Sequence, residues 1–218
     1  MYKPLPLKTE TVNGRDYALS RSKDGRQGGT IVTSTIGEGP KTFNPWNSMD
    51  ATSSQASEIM FDSLITTDAY TGEVIPKLAK TIKILPDNKT YVIELRHGLK
   101  WSDGKEITAD DVYYTWNTII FGGFGNTSTR DAMLIGTQLP RIEKTDKYTV
   151  KFTTPKPFSP FLRQLSVPIA PKHILEPITN KGKKAFTSYW GSTTNPKDFV
   201  TSGAFKLKEY VPAQRQSF

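Results

Sequence analysis

Apolar and polar positions along the chain alternate with two different periods, and the places where the period changes mark the elements. Thr30 to Thr35 (TIVTST) is rich in β-branched residues and is closed by Gly37-Glu38-Gly39-Pro40, which predicts a strand delivering the chain to a loop. In that loop, Lys41 to Asp50, Phe43 and Trp46 flank Asn44-Pro45, and the proline biases Asn44 away from the helical region. Aromatics so placed either pack under the turn or line a cleft. Thr52 to Leu64 has Ala56, Ile59, Met60 and Leu64 on one face, with Ser53 or Ser54 as N-cap, and predicts a helix. A break follows at Asp68 to Gly72.

Ala79 to Leu85 and Thr90 to Arg96 are β-like runs joined by Pro86-Asp87-Asn88-Lys89. Proline presets φ and asparagine tolerates the left-handed region, so the stretch predicts a hairpin. Tyr91, Ile93 and Leu95 alternate with Val92, Glu94 and Arg96, the second set forming a wetter face. Trp101-Ser102-Asp103-Gly104 turns the chain. Thr108 to Thr118 predicts a helix capped by Thr108, with Asp110 and Asp111 at the positive end of its dipole and Phe121 to Gly125 ending it. Tyr148 to Thr153 alternates as a strand, Pro155 to Lys172 is punctuated by prolines, and Ala204 to Val211 predicts a last strand. TIVTST and AFKLKEYV are candidates to meet in one sheet. Hairpins and helices mix without regular βαβ alternation, which favours a mixed α/β (α+β) fold over a doubly wound parallel sheet. No internal repeat occurs.

Composition narrows the function. The 218 residues include 24 aromatics and are 36% apolar, enough to build a core. The absence of cysteine removes disulfides, thiolate metal sites and a cysteine nucleophile. The uncharged run Val112 to Thr129 holds seven Ser, Thr or Asn residues and three glycines, too polar for a membrane span. Met1 to Glu10, interrupted by Pro4, Pro6 and Lys8, does not read as a signal peptide. The formal charge is +8, and its whole excess lies in residues 1–30 and 171–218. The densest cluster, Lys181 to Lys184, is a glycine-containing, loop-like stretch with only Phe186 nearby, so a solvated basic face is expected and nucleic-acid binding is not.

Candidate chemistry is sparse. The two histidines, His97 and His173, are far apart, and no zinc-protease helix, nucleophile elbow, P-loop or dinucleotide fingerprint occurs. Gly122-Gly123-Phe124-Gly125 follows a helix instead of opening one, so it reads as a C-cap and loop. Ser102-Asp103-Gly104 lacks the remaining ligands of a calcium loop and reads as a turn. Asp110-Asp111 point about 100° apart on a helix and are explained by its dipole. The expectation is a non-enzyme with no cofactor and no metal.

Eight stretches, in order, resemble the family 5 extracellular solute-binding proteins that feed ABC importers. They are Gly29 to Thr33, Thr42 to Pro45, Ile59 to Leu64, Val74 to Ala79, Asp87 to Arg96, Gly98 to Tyr113 (GLKWSDGKEITADDVY), Pro157-Phe158 with Pro171-Lys172, and Ser202 to Tyr210. The resemblance covers residues 29–210. It implies the N-terminal lobe of a type II periplasmic-binding-protein-like fold: an extension over 1–28, a core sheet from about 29–47 and 195–218, and a subdomain over about 48–194. It also implies that the second lobe, and half of the cleft wall, lie outside this sequence.

In such proteins the backbone after the x-N-P turn pairs with an extended peptide in β-strand fashion. Counting from Pro45, the resemblance places Met49, Asp50 and Ala51 at the cleft, with Ser48 and Thr52 flanking. Ser166 and Val167 are candidates for the same cleft. Trp101, Asp103, Gly104, Thr108 and Asp111 are assigned to a structural turn and helix cap. The implied function is the peptide-binding component of an ABC importer, extracytoplasmic (in the periplasm or lipid-anchored at the cell surface), with permease subunits as partners. A binder of nickel chelate, haem or oligosaccharide, or a surface adhesion module, is the alternative. Sheet edges left unpaired in a single lobe would favour self-association.

Overall fold

The computed structural model describes residues 9–12, 15–18, 28–34, 37–68 and 71–218. The proposed extension over 1–28 and the end of the TIVTST run therefore lie partly outside the described residues. Within the extension, β1 (Thr9–Val12) and β2 (Arg15–Ala18) pair as an antiparallel hairpin. Residues 30–34 form no strand, contrary to expectation, and Ile31 and Val32 are 92% and 89% exposed. β-Branched side chains favour extended backbone, but a strand also needs a partner, and none pairs with this segment among the described residues.

Helix α1 (Ala51–Met60) begins earlier than its pattern suggests because Asp50, not Ser53 or Ser54, is the N-cap: its carboxylate accepts from the Ser53 amide at 2.9 Å. The helix stops at Met60, and Phe61 turns the chain into extended backbone. A short hairpin, β3 (Ile65–Thr67) with β4 (Val74–Pro76), follows. Next come β5 (Ala79–Ile84) and β6 (Thr90–Leu95), the predicted hairpin. Asn88 sits at φ 54°, and Asp87 accepts from the Lys89 and Thr90 amides, each at 2.9 Å, so the turn is held by its own side chains. One position of the alternation fails. Arg96 is buried, not on the wet face, with its Nε donating to the Lys77 carbonyl at 2.9 Å.

Helix α2 (Ala109–Tyr113) is capped by Thr108 as expected, and the structure extends this to a capping box: the Thr108 side chain accepts from the first turn, and Asp111 accepts from the Thr108 amide at 2.9 Å. It continues as a π-helical segment, Tyr114–Phe121, that runs into the glycine-rich loop. The chain then forms α3 (Thr127–Ala132), β7 (Arg141–Lys144) and β8 (Thr149–Thr153), closing an antiparallel sheet of order β5-β6-β8-β7. Short helices α4 (Phe161–Gln164), α5 (Lys172–Thr179) and α6 (Lys183–Ser188) complete the middle of the chain. The lysine cluster is thus not wholly a loop, since Lys183 opens α6.

The last predicted strand shrinks to β9 (Glu209–Val211), which turns back on β10 (Arg215–Ser217) rather than joining residues 30–34. Upstream of it, Ser202 to Phe205 caps α1: the Gly203 amide donates to Met60 O at 2.8 Å and Ser202 Oγ accepts from the Asp62 amide at 2.8 Å. The backbone of this stretch is committed to a helix end, which keeps it out of a sheet. The fold is mixed α/β.

Two apolar clusters organise the interior. One backs the four-stranded sheet, where Ile93, Val150 and Phe152 meet Trp116 of the π-helical segment and Phe161 of α4. The other is aromatic and holds Phe43, Trp46, Phe61, Phe186, Trp190 and Phe199. The second lies directly under the loop that carries the candidate site.

Candidate functional site

The Asn44-Pro45 turn is fastened from below. Asn44 is fully buried, its Nδ2 donates to the carbonyls of Phe186 (3.1 Å) and Tyr189 (3.2 Å), and its Oδ1 accepts from the Trp46 amide (3.2 Å). The Phe43 amide donates to Trp190 O at 2.9 Å, and Thr42 bridges Gly191. Phe43 packs wholly beneath the turn, and Trp46, also buried, is among the residues that line a cavity.

That cavity, about 220 Å³, is lined by Pro45, Trp46, Ile120, Gly125, Asn126, Thr129, Ser166, Val167 and Pro168. Three segments meet here. Trp46 Nε1 donates to Pro168 O at 2.9 Å, the Asn126 amide donates to Trp46 O at 2.6 Å, and Asn126 Nδ2 donates to Ser48 O at 3.4 Å. Gly125 lets the segments close: a Cβ there would lie 2.9 Å from Trp46 O and 3.3 Å from Trp46 Cβ. The third wall is set by Thr115, whose buried hydroxyl donates to Asp111 O at 2.7 Å and accepts from the Ala170 amide at 2.8 Å.

The sequence-predicted residues divide into two groups. Ser166 and Val167 line the cavity and Ser48 joins it through Asn126, whereas Met49, Asp50, Ala51 and Thr52 do not line it. Met49 is 85% exposed and Ala51 is also exposed. The polar side chains of the loop are spent on its own architecture. Asp50 accepts from Thr52 Oγ1 and from Ser53 Oγ, each at 2.7 Å, and Ser53 Oγ in turn accepts from the Lys41 amide at 3.0 Å. Ser48 Oγ lies 2.9 Å from Ser54 Oγ. Partial burial disfavours the charge on Asp50, but the hydrogen bonds from Ser53 and Thr52 and the nearby Lys41 outweigh it and hold the carboxyl below the ordinary range. What the loop offers a ligand is backbone and the exposed Met49 side chain.

Ile120, Gly125, Asn126 and Thr129 escaped the sequence reading. The signal was visible as the GGFG run, but its role as a close-approach point for a loop some 80 residues earlier depends on tertiary packing. The residues assigned to structure behave as such: Asp103 Oδ2 lies 2.8 Å from His173 Nε2, and Asp111 accepts from the Lys172 amide at 3.0 Å. Burial raises the Asp111 carboxyl above its usual range despite the amides that donate to it. Among the described residues no group of three or more His, Cys, Asp or Glu side chains could hold a metal ion, and no helix is long and apolar enough to cross a membrane.

The family described as "Bacterial extracellular solute-binding proteins, family 5 Middle" matches residues 73–218. A Deinococcus radiodurans protein named "Probable ABC transporter-binding protein" is 31% identical over 204 residues, covering 92% of this chain and 34% of its own length. The Bacillus subtilis oligopeptide-binding protein AppA is 32% identical over 194 residues, 87% of this chain and 33% of its own. The AppA structure in complex with a nonapeptide superposes with a TM-score of 0.64 at 31% identity, covering 81% of this chain and 33% of that one. The chain spans about a third of the length of these curated relatives. It belongs to the family 5 bacterial extracellular solute-binding proteins.

Proposed function

We propose that this chain contributes one wall of the ligand cleft in an extracytoplasmic substrate-binding component of an ABC-type importer, and that the ligands are peptides. Residues 29–218 act as its first lobe, the backbone of Ser48 to Thr52 pairs with an extended ligand, and Ser166 and Val167 face the same ligand. The permease subunits of the importer are the partners of the whole protein, which signals by closing a second lobe over the ligand. The observation that carries this reading is the junction of the 45–48 loop with Ser166 to Pro168 around one cavity in a chain of this family. Because the loop spends its side chains on itself, recognition through backbone groups and apolar contact is the mode it can offer.

A single wall buries only part of a ligand while the cost of ordering it remains, so the chain is expected to bind peptides at about millimolar or weaker. Titration of the 15N-labelled chain with a mixed peptide pool should shift the amides of Ser48 to Thr52, Ser166 and Val167. Micromolar affinity by calorimetry contradicts the one-wall reading, and shifts that avoid these residues contradict the site. Exposed Ile31 and Val32, in a segment that pairs with no strand among the described residues, also favour self-association. Light scattering should show mass rising with concentration, and a strict monomer at high concentration counts against that.

A further inference from the structure

The cavity beneath the 45–48 loop carries no charge. Its lining is proline, tryptophan, isoleucine, glycine and valine, with Asn126, Thr129 and Ser166 as the polar members. The polar side-chain groups of Trp46, Asn126 and Ser166 have partners within the protein. Trp46 Nε1 donates to Pro168 O, Asn126 Oδ1 accepts from the Ser128 amide at 2.9 Å and from Ser128 Oγ at 2.8 Å, and Ser166 Oγ donates to Arg163 O at 2.9 Å. The Trp46 N–H is therefore already engaged and not available to a ligand. At about 220 Å³ the space is smaller than the several hundred cubic ångströms of a whole-ligand site and suits one side chain.

We infer that this cavity is a specificity pocket for a single uncharged, apolar side chain of a ligand whose backbone lies along Ser48 to Thr52; the inference rests on the peptide reading above. An aliphatic or aromatic group entering it exchanges water for Trp46, Ile120 and Val167. A lysine or aspartate side chain entering it loses hydration and meets no counter-charge, so it is rejected. Specificity here comes from rejection of charge as much as from apolar contact.

The test compares the tripeptides Gly-Leu-Gly, Gly-Phe-Gly, Gly-Lys-Gly and Gly-Asp-Gly on the 15N-labelled chain, following the Trp46 indole N–H, the Val167 amide and the amides of Ser48 to Thr52. The leucine and phenylalanine peptides should half-saturate the Trp46 and Val167 shifts at concentrations about tenfold below the charged pair. Thr129→Asp places a carboxylate in the lining at the third residue of α3, where the helix dipole accepts an acidic side chain, so the variant should fold. It should bring the lysine peptide level with or ahead of the leucine peptide. If all four peptides shift Ser48 to Thr52 equally and Thr129→Asp changes nothing, the pocket is overturned while the peptide reading stands. If no peptide shifts that loop, both are overturned.

Discussion

Asn44 is the residue on which the geometry of the candidate site depends most directly, and its removal can be costed. In Asn44→Ala three hydrogen bonds disappear, two of them buried: to Phe186 O, to the part-buried Tyr189 O and from the Trp46 amide. Phe186 O keeps its bonds from the Tyr189 amide and Asn47 Nδ2, so the orphaned groups are chiefly Tyr189 O and the Trp46 N–H. At about 1 kcal/mol for each bond the loss is about 3 kcal/mol. With a urea slope of about 2 kcal/mol/M, the unfolding midpoint should fall by about 1.5 M. Asn44→Asp has the same shape but replaces the donating amide with oxygen facing two carbonyls at a fully buried position. At pH 7 it should be less stable than the alanine variant. Its carboxyl would be held high, so the deficit should shrink as the pH falls through that raised value. Urea unfolding followed by tryptophan fluorescence measures all three proteins, since Trp46 and Trp190 report on this cluster. A midpoint for Asn44→Ala within about 0.25 M of the parent, or Asn44→Asp more stable than Asn44→Ala at pH 7, would refute the reasoning.

Three further outcomes follow from other parts of the structure. Gly203→Ala puts a Cβ 2.6 Å from Ile59 O and 2.7 Å from the Met60 carbonyl carbon, so it should cost about 1–3 kcal/mol by forcing the 202–205 segment off the end of α1; thermal melting checks it, and an unchanged melting temperature argues against the close approach. Thr115→Val keeps the shape but strands the buried Ala170 amide, and should lower stability by about 1–3 kcal/mol and speed hydrogen exchange at Ile169 and Ala170; unchanged exchange there rules out the clamp. The pH dependence has a definite sign. Asp50 and Asp103 resist the penalty of partial burial through hydrogen bonds from Ser53 and His173, and Glu106 is held low by Lys147 and Tyr148. Their stabilisation is complete above about pH 4.5 and is lost as pH falls through their lowered values, while buried Asp111 acts in the opposite direction. Urea midpoints should therefore decline between pH 5 and pH 3, and a midpoint that rises on acidification would contradict this balance.

What could be read from the sequence was what the chain decides locally. The turn at Pro86 to Lys89 and the cap at Thr108 each satisfy backbone groups within a few residues, so their side chains announce them. The strand expected over Thr30 to Thr35 fails because β-structure is a property of pairs, and pairing partners are not written in the segment itself. Gly182 makes Lys181 to Lys184 read as a loop although Lys183 opens α6, and α5 holds Pro177 in its interior, with Leu175 and Phe186 buried. For the candidate site, family resemblance pointed to the loop after Pro45, but the uses of its side chains came only from the structure. The resemblance places Asp50 by position alone, and its side chain is a helix cap. The wall formed by Gly125 and Asn126 depends on a backbone approach across nearly 80 residues, which no local pattern encodes.

The central claim is that a ligand lies along Ser48 to Thr52 and beside Ser166 and Val167. Paramagnetic broadening by a nitroxide-labelled Gly-Leu-Gly tests it most directly, because it reports distance to the bound peptide residue by residue. The account predicts strongest broadening at the amides of Ser48 to Thr52, Ser166 and Val167, with little at Lys83 and Lys151 on the four-stranded sheet. Broadening concentrated on that sheet or on α6, with the 48–52 loop spared, would contradict it.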